Sequence, residues 1–65
     1  MTFVILRLPA TCERTGKSRS SIYQGIADGT FPRPIKLGPR SVGWLEDEID
    51  DWIRQRVEAS RKQEQ

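Results

Sequence analysis

The chain of 65 residues has no histidine and a single cysteine, Cys12. These two shortages exclude an intramolecular disulfide, a Cys/His zinc site and Ser/His/Asp nucleophilic machinery. Long apolar runs are missing as well. Nothing approaches the roughly 18 residues that a membrane span needs, and the "FVIL" stretch near the start is too short for the core of a signal peptide. The expectation is a cytoplasmic protein with no membrane partner, no metal and no cofactor.

What is present fits one domain with one small hydrophobic core, because a chain of this size removes only about 60% of its unfolded surface from water. An enclosed catalytic cleft is hard to build at this length, and a surface that docks onto something larger is easy. Binding is expected, and enzymatic activity is not.

Charge is unevenly distributed. Residues 1–45 carry seven cations (Arg7, Arg14, Lys17, Arg19, Arg33, Lys36, Arg40) against Glu13 and Asp28, a balance of +5. Residues 46–65 carry seven acids (Glu46, Asp47, Glu48, Asp50, Asp51, Glu58, Glu64) against Arg54, Arg56, Arg61 and Lys62, a balance of −3. The asymmetry implies one surface that attracts a polyanion and another that does not.

Along the chain, "TFVILRL" reads as a short strand or extended arm. Pro9 suits a first helical turn and Gly16 a helix end, giving a first helix over Pro9–Thr15 with Leu8, Ala10 and Cys12 as burial candidates. Ser18 is a good N-cap, accepting from the amide of Ser20 or Ser21, and Gly29 a good terminator, giving a second helix from Ser18 or Arg19 to Asp28. Its inward stripe is Ile22, Ile26 and Ala27, with Tyr23 at the margin; Arg19, Ser20 and Gln24 face outward, with Lys17 just before the cap. Gly25 costs about 1 kcal/mol relative to alanine in a helix, so either the site tolerates the loss or something packs close there.

The two helices around Gly16 have the length and punctuation of a helix-turn-helix. Pro32 and Pro34 in "TFPRP" forbid a helix, and Phe31 is the expected anchor beneath them. "IKL" and "SVGWL" then alternate on either side of "GPR", predicting a hairpin of Ile35–Leu37 and Ser41–Leu45 whose tip carries Arg40, with Lys36 and Arg33 on its flank. A basic hairpin after a helix-turn-helix is a wing. Leu45, Ile49, Trp52, Ile53 and Val57 recur at three- and four-residue steps, predicting an amphipathic helix from Glu46 to about Ala59, with Trp44 and Trp52 supplying much of the core. The fold class is mainly α with a small β-hairpin. The winged helix-turn-helix domain spans residues 1–59, and residues 60–65 are a tail expected to fray.

The cluster Glu46, Asp47, Glu48, Asp50 and Asp51 invites comparison with a magnesium site. Acids also crowd helix N-termini because the macrodipole favours them there, and no other carboxylates converge on the cluster, so the structural reading is preferred. Cys12 on a short helix reads as a small buried hydrophobe rather than a redox sensor. Ser18, Ser20, Ser21 and Ser41 fit capping and phosphate contact better than catalysis.

The basic residues are placed as a duplex reader would need them. Lys17 and Arg19 open the second helix, where side chains and amide dipoles can meet a phosphate, and Gln24 lies about a turn later on the same outer face. Arginine reads guanine and glutamine reads adenine by paired hydrogen bonds in the major groove. Phosphate contacts are expected from Lys17, Arg33, Lys36 and Arg40, and sequence choice from Arg19, Ser20 and Gln24, with Ser18, Ser21, Tyr23 and Ser41 completing the candidate set.

The stretches "RTGKSRSSIY", "GTFPRPIKLGPRSVGW" and "EIDDWI", within a match running from Arg7 to Ile53, resemble the AlpA-type prophage regulators, small winged-helix proteins related to phage excisionases and to the MerR-like DNA-binding domain. The resemblance implies a DNA-binding transcriptional regulator of a bacterial prophage, nucleoid-associated, with Ser18–Gln24 as recognition helix and Lys36–Ser41 as wing. Double-stranded DNA is the implied partner, with self-association on DNA and contact with RNA polymerase or an integrase as further possibilities. Thr11 stands where an aliphatic residue is common in that family, and Gly25 where a larger one is. An excisionase that bends attachment-site DNA is the alternative within DNA binding. An adaptor that docks through the acidic helix Glu46–Val57 is the alternative of another class.

Overall fold

The computed structural model describes residues 2–63. The elements follow in the order β1 (Ile5–Leu6), α1 (Leu8–Thr15), α2 (Arg19–Asp28), β2 (Ile35–Gly38), β3 (Ser41–Leu45) and α3 (Glu46–Gln63). The hairpin gains a third strand from the N-terminal arm. The strands lie in the order β1-β3-β2, all antiparallel, with Leu6 opposite Trp44 and Ile35 opposite Gly43.

Both helix-ending glycines lie in the left-handed region, Gly16 at φ 73° and Gly29 at φ 79°, where a side chain would be strained. Ser18 has an extended backbone, and its hydroxyl accepts from the Ser21 amide at 3.1 Å. That bond satisfies one of the donors left free at the start of α2. The cap and the terminator therefore fix both ends of α2 where the sequence puts them.

The core is small. Leu6, Ile22, Phe31, Trp44 and Ile49 are buried, and Leu8, Cys12, Ile26, Val42, Trp52 and Ile53 pack around them. Phe31 lies edge-on to both tryptophans, at centroid distances of 6.4 Å from Trp44 and 5.1 Å from Trp52. Their indole N–H groups donate to the backbone on either side of it, Trp44 to the Pro32 carbonyl at 2.9 Å and Trp52 to the Thr30 carbonyl at 2.8 Å. The proline-rich turn is thus clamped at three consecutive residues, and the indole donors of the buried Trp44 and the half-buried Trp52 are both paired.

Some expectations need correction. On α1 the inner stripe is Leu8, Thr11, Cys12 and Thr15, a regular i, i+3, i+4, i+7 pattern in which Thr11 is fully buried, whereas Ala10 is exposed. The Thr11 hydroxyl donates to the Arg7 carbonyl at 3.0 Å and the Thr15 hydroxyl to the Thr11 carbonyl at 2.7 Å, so both polar groups are satisfied within the helix. Ala27 is exposed rather than inward, because the buried arc of α2 is completed by Gly25. Val57 is 43% exposed, since the apolar stripe of α3 outruns the body that covers it at Ile49. That helix continues to Gln63, four residues beyond the expected end at Ala59, with Arg61 and Lys62 in its last turn complementing the dipole. Of the tail, Glu64 and Gln65 lie outside the described residues.

Gly25 is explained by close approach. A Cβ there would stand 2.9 Å from the Cβ of Phe31 and 3.3 Å from the Thr30 hydroxyl, while the Gly25 carbonyl accepts from the Thr30 and Phe31 amides. Gly25→Ala therefore gains about 1 kcal/mol of helix propensity but forces Phe31 out of its seat, at a cost of about 1–3 kcal/mol. The expected outcome is a lower melting temperature. A variant that melts at or above the parent would show that the seat is not tight.

Candidate nucleic-acid interface

The exposed side of α2 is flanked by two shallow depressions. On one side Arg19 and Tyr23, a turn apart on α2, share a cleft with Arg40 of the hairpin tip, lined also by Leu8, Pro9 and Val42. Arg7, at the junction of β1 and α1, lines the same cleft. On the other side Lys17, Ser20, Ser21 and Gln24 border a groove that also holds Asp28 and Thr30. The second helix and the hairpin thus contribute cations to one continuous surface, and Arg19 and Arg40 share a single cleft.

The free cations follow from where the acids went. Arg14 bridges α1 to the start of α3, its guanidinium 2.9 Å from Glu46 and 3.3 Å from Asp50. Arg54 pairs with Asp51 at 2.7 Å. Among the described residues, no carboxylate lies within 4 Å of Arg7, Lys17, Arg19, Arg33, Lys36 or Arg40. No acid lines the arginine cleft either. Carboxylates of Glu46, Asp47 and Asp50 approach within 4.8 Å of one another, and Arg14 already sits on two of the three. The acidic cluster therefore serves to hold α1 against α3.

Several candidates occupy more particular positions than their sequence suggests. The Lys17 ammonium does not point out beside Arg19; it lies 5.4 Å above the Trp52 ring and 6.0 Å from that of Phe31. The Gln24 amide donates to both oxygens of Asp28 at 3.3 Å, contacts long enough to be exchanged for a better partner. Ser18 and Ser21 are tied to each other, hydroxyl to hydroxyl at 3.0 Å, as the cap of α2, which leaves Ser20 as the unencumbered serine of the helix face.

On the hairpin, Lys36 is exposed and stands opposite Val42, on the face of the sheet that turns toward the arginine cleft. Ser41 is half-buried opposite Gly38. Arg33 is exposed between the two prolines and lines neither depression. Arg7 is the residue that sequence reasoning missed. It precedes α1 in the chain, far from the helix and hairpin that carry the pattern, and it takes the N-cap position, which favours small acceptor side chains, because α1 begins at Leu8, one residue before the expected start.

No helix among the described residues is long and apolar enough to cross a membrane. No solved structure matches the chain. Among curated proteins it is 48% identical to the DNA-binding transcriptional activator AlpA of Escherichia coli strain K12, a match covering 80% of this chain and 83% of that one. It is also 42% identical to the uncharacterized protein ORF88 of Enterobacteria phage P4, over 88% of this chain and 64% of the phage protein. Residues 4–57 match the family described as Prophage CP4-57 regulatory protein (AlpA), and the chain belongs to that family.

Proposed function

We propose that this protein is a sequence-specific DNA-binding transcription regulator of the prophage type, in which α2 enters the major groove and the β2–β3 hairpin grips the flanking backbone. The observation that carries this reading is the convergence of Arg19, Tyr23 and Arg40 on one surface with no carboxylate among them. Kinship with a transcriptional activator supports it. Ser20 and Gln24 face outward on α2 and are the residues assigned to base edges, with Gln24 exchanging Asp28 for an adenine. Arg40, Lys36 and Arg33 supply phosphate contacts, and the cleft shared with Arg40 draws Arg19 toward the backbone as well. Such a regulator acts at the bacterial nucleoid.

Arg40→Ala should weaken binding about equally on all sequences and reduce the slope of log affinity against log salt by about one, whereas Gln24→Ala should relax preference at one base position. Selection of bound sequences from a random duplex pool, followed by salt titrations, distinguishes the two. If both variants weakened every sequence alike, the assignment of Gln24 to base readout would fail.

Lys17 lies over Trp52, so its truncation acts mainly on the fold. Lys17→Ala should lose about 0.5–1 kcal/mol of stability in urea and reduce affinity less than Arg40→Ala does. An affinity loss equal to that of Arg40→Ala, with stability unchanged, would return Lys17 to the phosphate contacts.

A module of this size covers only about 600–1,000 Å² of duplex, so occupancy by neighbouring copies is expected to be cooperative. The outer face of the sheet suits a second copy on the same DNA. There Ile5 and Leu37 converge over Gly43, both more than a third exposed, next to the equally exposed Ile35, on the hairpin whose tip carries Arg40. Leu37→Ser should flatten the binding curve on a two-site duplex while leaving single-site affinity within about twofold. Unchanged cooperativity would remove this face from the interaction.

A further inference from the structure

We infer that Arg7, Arg19 and Arg40 close on a single backbone phosphate, with the phenol of Tyr23 beside them, so that one phosphate ties the start of α1, the start of α2 and the hairpin tip together. The inference rests on the DNA-binding reading and adds to it a residue, Arg7, outside the helix and the hairpin, together with one shared ligand for three arginines.

The cleft has the composition of an anion site. Three arginines and a tyrosine line it with no acidic residue among them, and Leu8, Pro9 and Val42 are its apolar members. Like charges gathered without an acid repel one another, and a bound anion relieves that repulsion. The apolar lining is anchored, because Leu8 and Val42 pack on the core. Guanidiniums offer paired donors that match phosphate oxygens, and three of them around one phosphate would hold it from three directions.

Arg7 is held ready for this task by its backbone. Its φ and ψ of −81° and 170° end the strand, and its carbonyl accepts from both the amide and the hydroxyl of Thr11, at 2.9 and 3.0 Å. Its side chain gives the fold nothing comparable. It makes no capping bond at the start of α1, and its charge has the wrong sign for that end of the helix dipole. An arginine in a position where serine or aspartate would serve the helix better fits a side chain that acts on a partner.

The test uses the full chain on a duplex selected by the parent protein, remade as a series in which one phosphate at a time is replaced by an uncharged methylphosphonate. Arg7→Ala should weaken binding about tenfold or more and lower the salt slope by at most about one, because Arg19 and Arg40 stay on the same phosphate, with a melting temperature at low salt equal to or above that of the parent. Arg7→Ala, Arg19→Ala and Arg40→Ala should each become less sensitive to neutralisation of the same single linkage while staying sensitive elsewhere, and the triple variant should be insensitive to it and lose less affinity than the three single losses combined. Arg7→Lys, which keeps the charge but not the paired donors, should fall between parent and Arg7→Ala.

If the parent binds DNA and Arg7→Ala or Arg7→Lys binds as the parent does, or if the three alanine variants lose sensitivity at three different linkages, the shared clamp is overturned and the DNA reading stands. If Arg7→Ala melts well below the parent and Arg7→Lys restores full stability and affinity together, Arg7 is structural and the clamp is overturned. A parent that selects no duplex at all overturns both.

Discussion

Everything this protein presents to a partner depends on how Phe31 is seated. The residue links the end of α2 to the start of the hairpin, and it is held in three ways at once: edge-on between two tryptophan rings, by two indole N–H groups that take the carbonyls on either side of it, and by the backbone of α2 at Gly25. The prolines at 32 and 34 keep the intervening chain extended, so the turn has little freedom left to absorb movement. Consequently the angle between α2 and the wing is set by the core rather than by a flexible linker. A docking surface shared between a helix and a hairpin needs that rigidity, because each degree of freedom left open must be frozen when the partner binds.

Charge distribution is the second constraint, and it runs partly against stability. The acids of α3 favour the positive end of their own helix and capture Arg14, which fastens α1 to α3. Having been used there, they do not neutralise the cations of α2 and the hairpin. The arginine cleft is left with three like charges and no acid among its lining residues, a local conflict of the kind that a bound polyanion would relieve. Sites of this kind are where a sequence departs from what its fold alone would choose.

Punctuation was the most legible part of the fold. Gly16, Ser18 and Gly29 fix the two short helices through backbone geometry that few other residues supply, and the two prolines separate them from the hairpin, so local chemistry alone places the boundaries. The stripe of α3 was legible over its first turns for the same local reason. What escaped was set by contacts distant in sequence. Thr11 carries a hydroxyl and looks like a surface residue until the Arg7 carbonyl is seen to satisfy it. The need for glycine at position 25 comes from Phe31, six residues away, and nothing in the helix itself announces it. Val57 continues the α3 stripe, but the body beneath has already ended.

The candidate surface divides in the same way. Arg19, Gln24 and Arg40 could be placed from helix phase and hairpin register, because both are local properties. Lys17 could not, since its direction is decided by the Trp52 ring arriving from α3. Arg7 escaped because it belongs to no periodic element; only the pairing of β1 with β3 and the pinning of its carbonyl by Thr11 bring it beside the wing. A polar helix such as α2, with Ile22 as its one fully buried large side chain, is then understandable. Its position is secured from outside, by the cap before it and the aromatic clamp after it, which leaves nearly the whole of its remaining surface available for hydrogen bonding to a partner.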